Sequence, residues 1–147
     1  MKLKANILLL FLTSFLWAGC SALQHQENGG QNKPATHAYT PPRGSAERNA
    51  ILVAVHKAIE KQDATRKIVL VVPYLKAHNG WAWIQVNPQS PDGTQHYESQ
   101  SGLLHKESNG NWMLLEWMPA EEGTDYKKYF KDLKAKYPSA PADIFPQ

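Results

Sequence analysis

Apolar residues follow two different rhythms along the chain after residue 45. Ile51, Leu52, Val55, Ala58 and Ile59 recur at helical spacing with Lys57, Glu60 and Lys61 between them, and Ser45 stands at the N-cap position with Glu47 in the first turn. This predicts one amphipathic helix, ending near residues 62–64, with a single stripe turned to a core. The rhythm then changes. Arg66 to Ala77 is rich in β-branched residues, and Asn79-Gly80 after it is the strongest short-range hairpin signal a sequence offers. A second strand, Trp81 to Val86, follows that turn, and a longer turn over Pro88 to Gly93 precedes a third extended stretch, Gln95 to Lys106. Ser108-Asn109-Gly110-Asn111 turns it into a fourth, Trp112 to Met118. Pro73 has no amide proton for a ladder bond, so its strand must lie at a sheet edge or carry a bulge there. From Asp125 to about Lys136, Tyr126, Tyr129, Phe130, Leu133 and Tyr137 share one helical face. Pro138, Pro141 and Pro146 exclude regular structure beyond it, and Ile144 and Phe145 are expected to dock on the domain. The order predicts an α+β fold: an N-terminal helix packed on a four-stranded antiparallel meander, with a short C-terminal helix.

The N-terminal part reads differently. Lys2 and Lys4 precede an apolar run, Ala5 to Trp17, and small residues follow it. The run falls short of the roughly 20 apolar residues of a membrane span, and the whole segment predicts a secretory signal peptide over residues 1–19. Residues 20–44 are rich in Gln, Asn, Gly, Thr and Pro without apolar periodicity, which predicts a flexible tether. A single domain over residues 45–147 remains. Composition agrees: in 147 residues the hydrophobic share is 42% and the aromatic share 10%, too rich for a wholly disordered chain. The formal charge of +3 is modest, and Lys2 and Lys4 of the signal segment contribute to it. Cys20 is the only cysteine, so no internal disulfide can form and the mature fold must stand on its hydrophobic core.

Trp17-Ala18-Gly19-Cys20 resembles the lipobox of bacterial lipoproteins, with Trp17 where an aliphatic residue is usual. The resemblance implies cleavage before Cys20 and acylation of its thiol, palmitate among the chains, with the membrane as partner. Each buried CH₂ of such a chain contributes about 0.8 kcal/mol to anchoring. Ser21 in place of an aspartate implies retention in the outer membrane, facing the periplasm. Plain secretion as a soluble periplasmic protein is the alternative.

Further segments resemble an uncharacterised family of small exported proteins and lipoproteins of Gram-negative bacteria. They are Arg48-Asn49-Ala50-Ile51-Leu52, Leu75-Lys76-Ala77-His78-Asn79-Gly80-Trp81-Ala82-Trp83, Leu103-Leu104-His105-Lys106 before Gly110-Asn111-Trp112, and Tyr137 to Pro146. That resemblance implies a shared fold and export but no chemistry. The element order is also similar to cystatin-like or nuclear-transport-factor-like rolls.

Candidate chemistry is sparse. His56, His78, His96 and His105 have no metal-ligand spacing, and His25 and His37 stand apart in the tether. No nucleophile elbow or phosphate-cradling glycine loop is present, and no catalytic residue, metal ligand or cofactor is assigned. Glu98 and Glu116 form the only strand-borne carboxylate pair worth comparing. Trp81 and Trp83 project from one face of their strand and, with Trp112 and Trp117, form either core or an aromatic binding platform. Lys127, Lys128, Lys131 and Lys134 lie on the last helix, either as a solvated face or as a contact for anionic headgroups. These features point to a lipid-anchored, non-enzymatic envelope module that binds a protein, peptide or glycan. A small periplasmic hydrolase using a concavity of the sheet is the alternative, and nucleic acid is excluded as a partner by the compartment.

Overall fold

The computed structural model describes residues 35–147 except Arg66. The predicted signal peptide, Cys20 and the tether up to residue 34 lie outside these residues. The described chain runs α1 (Ala46–Glu60), β1 (Val69–His78), β2 (Trp81–Gln89), β3 (Gln100–Lys106), β4 (Trp112–Trp117) and α2 (Tyr126–Lys136), and ends in a 3₁₀ turn over Ala142–Ile144. The four strands form one antiparallel sheet in the order β1-β2-β3-β4. The expected α+β architecture is therefore present, and both helix starts are capped, α1 by Ser45 as its sequence implies and α2 by Asp125. Ser45 Oγ accepts from the Arg48 amide at 3.2 Å, and Asp125 Oδ1 accepts from the Lys128 amide at 3.0 Å.

Two strand bounds depart from the pattern reading, the first being that β2 runs on through Pro88 to Gln89. The third strand begins at Gln100, not Gln95, because Asp92 closes its own turn. Its carboxylate accepts from the Ser90 hydroxyl and from the Thr94 amide and hydroxyl, and the loop returns through a single bridge between Gln89 and His96. Pro73 meets both alternatives at once: β1 is an edge strand, and its register with β2 shifts between Val71 and Tyr74.

Both faces of the sheet carry packed side chains. On the first, Ile51, Val55 and Ile59 of α1 pack on Leu75, Ala82, Ile84, Val86, Leu104 and Trp112. On the second, Trp81, Trp83 and Leu103 meet Leu133 of α2 and Ala140, Ile144 and Phe145 of the tail. Ile144 is fully buried and Phe145 is 9% exposed, so the tail docks as its composition implies. A bulge in β4 decides which residues serve which face. Leu103 pairs with Glu116 while Leu104 pairs with Leu114, leaving Leu115 as the extra residue. Trp112, Leu114 and Trp117 accordingly pack on the α1 side, and Leu115 on the other. Gly102 lies beneath this bulge, where a Cβ would come within 2.8 Å of Leu114 and 2.9 Å of Trp117.

The folded region begins before residue 45. Tyr39 exchanges two backbone hydrogen bonds with Ala77, at 2.8 and 3.0 Å, and Pro41 is fully buried. The last residues assigned to the tether thus pack on the edge of β1, whose outward backbone groups need partners. Asp143 ties this segment to both ends of the domain. One of its carboxylate oxygens accepts from the Ala38 amide at 2.8 Å and the other from His78 Nδ1 at 2.9 Å. The Tyr74 hydroxyl adds a bond to the Ile144 carbonyl at 3.0 Å. The His78 bond, aided by the Ala38 amide, holds the Asp143 carboxyl below its ordinary value of 3.8.

A group whose pKa falls on folding stabilises the fold above its unfolded value and stops doing so as pH drops through the folded one. The Asp143 carboxylate is 41% exposed, so solvent screening limits its worth to about 1 kcal/mol. Urea titrations of the natural chain and of Asp143→Asn should show that gap at neutral pH and its closure well below pH 3.8. A gap that stays constant into acid would contradict the clasp.

Candidate functional site

The tryptophans do not form one platform. Trp81 is 8% exposed, Trp83 1% and Trp112 7%, and Trp117 is half-buried. Trp81 and Trp83 do share a face, but Trp112 and Trp117 lie on the opposite one, because the register of β4 and its bulge send both toward α1. Trp83 meets Phe130 at 5.4 Å and Phe145 at 5.3 Å between ring centres, and Trp81 lies against His105 at 4.3 Å. Trp81, Trp83 and Trp112 are core and Trp117 packs half-buried against it, so of the two readings the core one applies and the four do not form one exposed binding surface.

The lysines of α2 divide into two groups. Lys128 pairs with Asp132 at 2.7 Å, and Lys136 reaches Glu116 at 2.5 Å. Lys127, Lys131 and Lys134 are exposed and share a helical stripe, with no acidic partner among the described residues. Glu116 is thereby committed to Lys136, while Glu98 is exposed elsewhere, and the two carboxylates act independently. His56 approaches Glu60 at 3.3 Å, and His78 is bound into the clasp. Among the described residues no cluster of three or more His, Cys, Asp or Glu side chains is placed to hold a metal ion. No helix of the described residues is long and apolar enough to cross a membrane.

A recess of about 690 Å³ opens at the end of the sheet where α1 begins. Its walls come from the first turns of α1, the Asn79-Gly80 turn between β1 and β2, and the β3–β4 turn at Gly110. The hairpin signal read from Asn79-Gly80 is realised with φ of 49° and 76°, the left-handed geometry of a tight two-residue turn. Four polar residues line the recess with the Trp112 ring: Tyr39, Glu47, Asn79 and Lys106. The Tyr39 hydroxyl donates to the Glu47 carboxylate. Burial, reinforced by that bond and charge, pushes the Tyr39 phenol up to about 12, so it remains a donor at all ordinary pH. The Trp112 Nε1–H is buried and meets no acceptor among the described residues. Leaving such a donor unmatched costs about 1–3 kcal/mol.

Sequence reasoning named Trp112 for an aromatic surface and missed the rest of this recess. Tyr39 lay in the assigned tether, and nothing local joins Glu47 to Lys106 across so many residues. The Asn79-Gly80 turn was the one local sign of where the recess forms. Comparison with protein-family models, with curated proteins and with solved structures finds no match to this chain.

The core assignment has a direct consequence. Trp83→Ala should cost about 3–5 kcal/mol by denaturant titration, whereas Lys127→Gln should change stability by less than about 0.5 kcal/mol. A tolerated Trp83→Ala would restore the exposed platform.

Proposed function

We propose that the chain is a lipid-anchored binding module of the cell envelope, held through acylated Cys20 on the periplasmic side of the outer membrane, and that it acts without chemical turnover. The observation that carries the binding role is the end recess, where Lys106, Glu47, Tyr39 and Asn79 line a space of about 690 Å³ beside the Trp112 ring. Recesses of about 300–1,000 Å³ with a few convergent polar groups are the usual form of a ligand site. A cation and an anion together suit a short zwitterionic peptide: a carboxylate for Lys106 and an amine for Glu47. The hydrolase reading has less support. Its best His–acid pair, His78 with Asp143, spends both carboxylate oxygens on the clasp.

Two measurements test this. In cells fed labelled palmitate, Cys20→Ser should abolish labelling of the chain, and persistent labelling would sink the anchor. Indole-¹⁵N-labelled protein titrated with zwitterionic dipeptides should show the Trp112 N–H signal moving while Trp83 stays fixed, with affinity reduced about five-fold or more in Lys106→Ala. A Trp112 signal that no dipeptide moves would overturn the recess as the site.

A further inference from the structure

The second face of the sheet is only half covered. Around Trp83 it carries the aromatic cluster with α2 and the tail, but side chains alternate along β2, so Gln85, Asn87 and Gln89 point to the same side as Trp83. The registers set neighbours beside them in rows: Tyr74–Gln85–Ser101, Val71–Asn87–Ser99 and Val69–Gln89–His96. In the middle row the Ser99 hydroxyl donates to the Asn87 amide oxygen at 2.8 Å. The Gln85 amide and the Ser101 hydroxyl make no side-chain hydrogen bond among the described residues. Val69 and Val71 are 45% and 42% exposed at the edge of these rows.

At the border between the covered and open halves lies a crevice of about 200 Å³. Tyr74, Trp83, Tyr126 and Phe130 wall it, and Gln85 and Ser101 form its polar side. Tyr126 is 48% exposed, standing at the mouth, not in the core.

We infer that this open half-sheet and its aromatic crevice bind an uncharged oligosaccharide. Three properties of the surface lead to that class. No Asp, Glu, Lys or Arg stands in the three rows, so a strongly charged ligand would lose hydration there without an ion pair to replace it. Amide and hydroxyl side chains both donate and accept, which matches sugar hydroxyls, themselves both donor and acceptor. Aromatic rings and the two exposed valines supply flat apolar surface for the C–H faces of a sugar ring, with the Tyr126 hydroxyl left to the water side. The crevice takes one ring, and successive rows lie about 7 Å apart along β2, so a chain of sugars would follow the strand out over Asn87 and Gln89. The binding site is separate from the end recess and does not depend on it.

The test is a titration of the full chain, ¹⁵N-labelled, with maltohexaose, cellohexaose and chitohexaose, and with an oligogalacturonate as the charged comparison. At least one neutral hexasaccharide should move the side-chain amide signals of Gln85 and Asn87, with an affinity that holds when salt is raised about ten-fold. Gln85→Ala and Tyr126→Ala should each weaken it by about five-fold at an unchanged melting temperature. The inference is overturned if no neutral hexasaccharide moves these signals. It is equally overturned if the charged oligomer alone does so, if salt abolishes binding, or if both substitutions leave the affinity intact.

Discussion

The contact between the Trp83 ring and the rings of Phe130 and Phe145 organises the second half of the structure. Phe130 and Phe145 also meet each other, at 5.6 Å, so the three rings close a cluster joining β2, α2 and the tail. Aromatic side chains bury large areas and add edge-to-face attraction of about 0.5–1.5 kcal/mol per pair, which makes such a cluster the strongest available tie for so short a helix. Its reach is limited. α2 has 11 residues and spans about 16 Å, whereas β2 has 9 residues and spans about 30 Å. Even laid along the strand, the helix covers about half of it. The open rows beyond Gln85 follow from that mismatch in length, as α1 on the other face, with 15 residues, leaves Val86 buried.

Other features serve to keep this arrangement closed. Beside the buried Ile144 and Phe145, the 3₁₀ turn of the tail is held at Asp143, and Asp143 is held in turn by His78 at the end of β1 and by the Ala38 amide. The two bulges divide the strands between the faces. In β1 the shift at Pro73 lets Val72 and Leu75 both serve the α1 core while Tyr74 turns to the tail, and in β4 the extra Leu115 sends Trp117 to the α1 side. The end recess is then the place where the pre-helix segment, pinned to Ala77, arches over the two turns of the sheet.

Much of this was legible locally. Ser45 announced its helix through short-range capping, Asn79-Gly80 announced a tight turn, and Pro73 announced an edge or a bulge, since each effect acts within a few residues. Leu115 announced nothing: a bulge depends on the register with the neighbouring strand, and without it simple alternation sets Trp112 and Trp117 on opposite faces. The Asp143–His78 bond joins residues 65 apart, and Tyr39 to Ala77 joins a polar tract to a strand, so neither leaves a periodic trace. The polar rows on β2 and β3 were visible as Gln and Asn residues. Only the register shows them to be aligned and beside an aromatic crevice.

The central claim is that the second sheet face is covered at Trp83 and open beyond Gln85. Methyl signals recorded with an inert paramagnetic gadolinium chelate in solution measure this directly, residue by residue. Strong broadening of the Val69 and Val71 methyls, with Leu103 and Ile144 protected, is the predicted result. Protection of Val69 and Val71, or broadening of Leu103, would contradict it.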